Sequence, residues 1–207
     1  MKQIDTKKIE AAIAKAESGT TGELVVQIVP QSDAYVVLTV AWGFVGMIVA
    51  SLIDYFTWGF SLLALMECQA LGFLGFALLS RVPALRRLTL PKAWAAFRVH
   101  RECLANFTSQ GLHETAEHTG ILLYLSSLEH RVEILADSGI HKKLGAGFWD
   151  KQVSKIVEGM RSGRPTEAIC EAIGEMGAEL AHHFPGRKHN PNELSDHVRL
   201  GPDNDRQ

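Results

Sequence analysis

The apolar positions along this chain change their spacing from segment to segment. Over Ile4–Glu17 they recur at helical intervals, with Ile9, Ala12, Ile13 and Ala16 on one face and Asp5 or Thr6 placed to cap the start. Ser18-Gly19-Thr20-Thr21-Gly22 stops that helix. Glu23–Pro30, ELVVQIVP, is rich in β-branched residues and predicts a strand. The alternation of apolar and polar positions then vanishes: the 47 residues from Ala34 to Ser80 carry two formal charges, Asp54 and Glu67.

That stretch reads as a two-helix membrane hairpin. Ala34–Ile53 is 20 residues without a charge, about 30 Å of helix at about 1.5 Å per residue, the thickness of a hydrocarbon core. Phe60–Leu79 is its partner, and Asp54–Gly59 is the expected turn, with Tyr55, Phe56 and Trp58 suited to the headgroup interface. Both runs are apolar on every face, unlike core helices with a polar stripe. The charged first 33 residues exclude a signal peptide. The turn holds no Lys or Arg, whereas Arg81, Arg86, Arg87, Lys92 and Arg98 follow the second span. The positive-inside rule therefore predicts a two-pass protein of the cytoplasmic membrane with both termini in the cytoplasm. Arg81, Arg86, Arg87 and Lys92 are expected at the lipid headgroups. Glu67 lies within the second span, where a charge costs about 2.5–3.5 kcal/mol on insertion scales. It fits either a proton or ion relay or a hydrogen-bonded acid that holds the hairpin or an oligomer together, with Gln69 nearby. With no basic partner in either span, the structural role is favoured.

Beyond the hairpin, 81–90 reads as a basic juxtamembrane linker and 91–110 as a helix with Trp94, Phe97, Leu104 and Phe107 on its apolar face. Ile121–Leu128 is a continuous apolar strand, Glu129-His130 a tight turn, and Arg131–Ala136 its antiparallel partner. A helix over 148–160 carries Trp149, Val153, Ile156 and Met160 on one stripe. Ser162-Gly163-Arg164-Pro165 breaks it, and a last helix over 166–183 aligns Ile169, Ile173, Gly177, Leu180 and Phe184. The tail over 185–207 is polar and reads as loosely ordered. Thr21-Gly22 and Thr119-Gly120 enter the first two strands alike, which predicts parallel neighbours with aligned starts. The helix over 91–110 is then the crossover, and the hairpin an insertion in it. The fold class expected is α/β: residues 1–33 and 91–184 form one split domain, and 34–80 the hairpin.

Composition narrows function by exclusion. A net charge of −2 over 207 residues argues against a nucleic-acid binder, and 46% apolar residues exclude global disorder. Cys68, Cys103 and Cys170 form neither a disulfide framework nor a CxxC pair, which suits a reducing compartment. The sequence has no P-loop, no GxGxxG (Gly145-Ala146-Gly147 lacks the third glycine), no GxSxG elbow and no cysteine-phosphatase loop. His113 and His118 are five apart, about 140° around a helix, so they are not a zinc pair. His182, His183, His189 and His197 cluster near the C-terminus and read as solvated. Asn106-Phe107-Thr108 matches a glycosylation sequon, which a cytoplasmic face makes irrelevant.

The run Thr119–Gly139, TGILLYLSSLEHRVEILADSG, with Ile140 after it, resembles the TPM domain family. The later order of Trp149, a helix, a Gly-Arg-Pro break, a second helix and His183-Phe184-Pro185 resembles it too, as does Thr20–Val26 at the first strand. Asn192-Glu193-Leu194-Ser195-Asp196 is similar to a tail motif of membrane-bound bacterial members, with Ser195 where proline is expected. The resemblance implies a small α/β sandwich. It implies one of two roles: a membrane-associated accessory or scaffold protein, or a weak acid phosphatase, an activity ascribed to a plant member involved in photosystem repair. Some members bind calcium or other divalent cations. Here the turn before the second strand reads Glu117-His118-Thr119-Gly120 and lacks the family's Asp-Asn pair.

Four acids stand at strand ends: Glu23, Glu117, Glu129 and Asp137. If the first two strands start together, Glu23, Glu117 and Asp137 share one sheet edge, where they could hold calcium or another divalent cation. The bland reading is ordinary strand-end carboxylates. The sequence thus favours a non-catalytic interaction module at the cytoplasmic membrane face, with a membrane-protein partner or a second copy. The alternative is a divalent-metal-dependent phosphatase with those three acids as ligands. A transporter subunit built on Glu67 is the weakest reading, since two spans enclose no pathway alone.

Overall fold

A computed structural model describes residues 4–57, 61–115, 117–186 and 197–201. Of the features read above, Trp58, Gly59, Phe60, His189 and the Asn192–Asp196 motif lie outside the described residues. The chain forms two compact units, 1–32 with 96–207, and 33–95.

In the first unit, Asp5 caps α1 (Thr6–Glu17) by accepting the Lys8 N–H, and Ile9 and Ile13 are buried. The Glu17 carboxylate accepts the Leu24 N–H and ties the helix end to β1 (Glu23–Val29). β1 pairs in parallel with β2 (Gly120–Ser126), Glu23 opposite Gly120 and Val29 opposite Ser126. The aligned starts that the two Thr-Gly entries predict are therefore present. All seven residues of each strand are buried, so both faces of the sheet centre are covered. β3 (Arg131–Ala136) runs antiparallel to β2. The sheet order is β3-β2-β1-β4.

β4 (Arg199–Leu200) corrects the reading of the tail. It pairs with Gln27 and Ile28 of β1, and the Glu10 carboxylate accepts the Val198 N–H, which seats Val198 in the core. The open edge of β1 attracts any extended segment able to satisfy its backbone groups. Two polar-tail residues need no apolar signature to do so.

Strand parity splits the core in two. Leu24, Val26 and Ile28, with Ile121, Leu123 and Leu125, pack on α1, on α7 (Ala146–Arg161) and on α8 (Pro165–His183). Val25, Val29, Leu122 and Tyr124 face the other way, onto Val99, Cys103 and Phe107 of α5 (Lys92–Ser109). This is an α/β sandwich of helix, sheet and helix layers. The buried stripe of α5 is not the one expected: Phe97 and Leu104 are exposed, and Val99 and Cys103 take their place. α6 (Ser138–Leu144) was also not expected. It is a seven-residue helix capped by Asp137, and Gly145 at φ 72° turns the chain into α7.

In the second unit, α2 (Val36–Thr57) and α3 (Leu62–Leu79) form an antiparallel hairpin. Their backbones touch at glycines, since a Cβ on Gly46 would lie 2.1 Å from the Gly72 carbonyl oxygen. Gln69 donates to the Ser51 hydroxyl across the pair, and Trp42 packs against Phe76 while its indole N–H donates to Thr89. α2 runs through the expected turn at Asp54–Thr57, because no helix breaker precedes Gly59. Asp54 is buried there, and its carboxylate has no hydrogen-bond partner among the described residues. The basic linker contains a helix, α4 (Pro83–Thr89), started by Pro83.

Candidate functional site

The edge where β1 and β2 begin and β3 ends is knitted by threonines. The Thr119 carbonyl accepts the Glu23 N–H, and the Thr119 hydroxyl donates to the Thr21 carbonyl at 2.8 Å. The Thr21 hydroxyl donates to the Glu117 carboxylate at 2.7 Å, and the Thr20 hydroxyl donates to the Phe184 carbonyl at 2.7 Å. These bonds need hydroxyls at consecutive positions, which explains the Thr20-Thr21 pair in the loop.

Asp137 closes the same edge. Its N–H donates to the Gly120 carbonyl, its carboxylate accepts the Ser138 N–H, and His118 Nδ1 lies 3.1 Å from its Oδ2. Gly139 lets the Glu117-His118 backbone come close, because a Cβ there would sit 2.6 Å from the His118 carbonyl oxygen. Beside these groups lies an open depression of about 590 Å³ lined by Glu117, Lys143, His183, Phe184, Pro185 and Gly186. Lys143 does not reach into it freely: its Nζ sits 4.2 Å over the Phe184 ring and donates to the His183 carbonyl.

Of the three acids expected to converge, the structure brings Glu117 and Asp137 to one place and sends Glu23 elsewhere. Glu23 has the parity of Val25 and Gln27. Val25 packs on the α5 side, and Gln27 bonds Asn106 and Gln110 there. Glu23 follows them and is 4% exposed. Among the described residues no three His, Cys, Asp or Glu side chains come together as a metal site. The described geometry sets Glu117 and Asp137 at one edge and gives Glu23 the parity of the α5 side. Sharing a sheet edge is not sharing a face, since successive strand side chains point to opposite sides.

The fourth acid serves the opposite edge. Glu129 accepts the Ser32 N–H and the Ser126 hydroxyl, while Ser32 donates to Ser126 and contacts the Tyr124 hydroxyl at 3.3 Å. Burial pushes the Tyr124 hydroxyl up to about 12, partly offset by the Ser32 bond. This lock has only a weak signature in the sequence. Its signal is the pair of polar residues, Tyr124 and Ser126, inside an otherwise apolar strand.

Among the described residues the histidines form no metal centre. His113 and His118 lie in irregular turns, and His182 and His183 meet edge to face on the last turn of α8 with ring centroids 4.8 Å apart. His197 stands 3.4 Å from Glu10. On α7 and α8, hydrogen bonds from Lys155 and Gln152 hold Glu175 below the usual carboxylate range. Of the four cations expected at headgroups, Arg81, Arg87 and Lys92 are exposed. Arg86 is 3% exposed, and its Nε donates to the Ser80 carbonyl.

The family model of the TPM domain matches residues 88–179, which span α5, β2, β3, α6, α7 and most of α8. Over those residues the chain is similar to the TPM domain. Among solved structures it is similar to the NMR structure of the BA42 protein from the psychrophilic bacterium Bizionia argentinensis. The TM-score is 0.60 at 17% identity, over 97% of this chain and 98% of that one, a likeness of fold. No curated protein matches the chain.

Proposed function

We propose that this protein is a TPM domain fixed to the cytoplasmic membrane by the α2–α3 hairpin, and that it works there as a non-catalytic interaction module. One observation carries the reading. α2 is 22 residues and α3 is 18, each carries a single acid in an otherwise strongly apolar run, and no residue of α3 is buried. Helices of that composition in a folded core would be covered; these are left for lipid to cover. The five cations after the second span, against none in the turn, favour cytoplasmic termini. The site chemistry supports the non-catalytic half. Glu117 and Asp137 are occupied by Thr21, His118 and the α6 cap, and the third acid lies on another face.

The test uses the full chain. It is expected to co-float with vesicles, to resist alkaline extraction, and to show a C-terminal reporter on the cytoplasmic side. A chain recovered in the soluble fraction would refute the anchor. Hydrolysis of p-nitrophenyl phosphate that needs calcium, magnesium or manganese and disappears in Asp137→Asn would replace the interaction module with the phosphatase.

A further inference from the structure

The hairpin uses one side of α3 and leaves the other uncovered. Gly72 and Phe76 face α2, and Gln69 bonds Ser51. Glu67 points away from that seam and is exposed. At about 100° per residue it sits opposite Phe76, so it cannot serve the hairpin. This separates it from Gln69, its neighbour in the sequence, which bonds Ser51. From Glu67 the outward face continues through Leu71, Leu74 and Leu78, exposed by 70%, 56% and 55%. The spacing 67, 71, 74, 78 is the four-three-four rhythm of a left-handed helix pair. Nothing in the structure lies within 4 Å of where a Cβ on Gly75 would stand, so the flank of that face is open as well.

We infer that a second copy of this chain covers the outward face of α3, with the two Glu67 carboxyl groups hydrogen-bonded to each other across a two-fold axis. The inference rests on the membrane reading above. Copies inserted with one topology run their α3 helices in the same direction at the same depth. A two-fold axis along the membrane normal then sets each group opposite its own kind, Leu on Leu and Glu67 on Glu67. A protonated carboxyl group suits that symmetry, because it is both donor and acceptor and can exchange two hydrogen bonds with its twin. Lipid offers a carboxyl group no partner, so the exposed acid favours association. One polar position in an apolar seam also fixes register and partner number.

The full chain, labelled at its N-terminal amine with donor or acceptor dye, is reconstituted into phosphatidylcholine–phosphatidylglycerol vesicles. Energy transfer is followed against protein-to-lipid ratio, with co-flotation as the measure of insertion. The wild type is expected to follow a monomer–dimer curve. Glu67→Gln keeps a donor and an acceptor and is expected to stay close to it. Glu67→Leu is expected to co-float equally well and to weaken the dimer about tenfold, the scale of an interhelical hydrogen bond in lipid. An inserted but monomeric wild type overturns the inference, and so does Glu67→Leu dimerising as tightly as the wild type. Glu67→Gln falling with Glu67→Leu also overturns it, and points to a partner helix with a basic residue. Failure to co-float removes the membrane reading itself, and the inference with it.

Discussion

Two glycines on α8 test whether helix α1 sits where the structure places it. Gly174 and Gly177 are one turn apart in the same helix. A Cβ on Gly174 would meet nothing within 4 Å. A Cβ on Gly177 would lie 2.6 Å from the Ala16 Cβ and 2.9 Å from its Cα, both on the packed face of α1. Alanine in a helix interior is favoured over glycine by about 1 kcal/mol. Gly174→Ala should therefore stabilise the domain by about that amount. Gly177→Ala has the same propensity gain, but it must push α1 outward, an overpacking cost of about 1–3 kcal/mol. Propensity cancels in the comparison, so the variants should differ by about 1–3 kcal/mol, at roughly 2–4 °C of Tm per kcal/mol for a chain of this size. The assay is thermal unfolding of the full chain in detergent, followed by near-ultraviolet circular dichroism, which reports the packed domain. Adding Ala16→Gly to Gly177→Ala should recover part of the loss, with a coupling of at least about 0.5 kcal/mol. Equal shifts in one direction for both glycine variants would refute the close α1–α8 approach.

Three further outcomes follow from the buried polar groups. Tyr124 ionises at about 12 in the fold, because burial disfavours the phenolate, against about 10 in an unfolded chain. Its contribution is complete below pH about 10 and is lost as pH rises towards about 12, about 2–3 kcal/mol in all. Alkaline unfolding should show this slope in the wild type and lose it in Tyr124→Phe; an unchanged slope would count against the buried phenol. Glu129→Ala strands the Ser32 N–H and the Ser126 hydroxyl and should cost about 1–3 kcal/mol by denaturant titration; no loss would mean that the lock does not form. Cys103 is fully buried and its thiol is pushed up by burial, with Glu133 adding to it, so it should react with a disulfide reagent only after unfolding. Modification at the rate of an exposed thiol would contradict the packing of α5.

What could be read in the chain and what could not divide along a physical line. Local pattern determined α1, β1, β2, β3, α7, α8 and the two hairpin helices, because periodicity, caps and breakers act within a few residues. The aligned parallel start of β1 and β2 was also legible, since two Thr-Gly entries signal two equivalent strand beginnings. The end of α2 was misplaced at Asp54, where aromatic residues suited to an interface suggested a turn although no glycine or proline broke the helix before Gly59.

The site was legible only as a list of acids. That Glu117 and Asp137 meet at one edge follows from strand directions, which the sequence suggested. That Glu23 turns to the α5 side depends on which parity of β1 each helix layer covers, and seven buried residues in a row conceal that parity. Sequence by itself determined that two helices long and apolar enough to cross a membrane precede a stretch similar to the TPM domain, because length, composition and periodicity are properties of contiguous residues. Tertiary structure alone decided three things: β4 completes the sheet, Arg86 is covered, and Glu67 looks outward while Gln69 looks in. Each of these depends on a neighbour far along the chain or on the helix across the seam, and no local pattern encodes the direction of a side chain towards a partner of that kind.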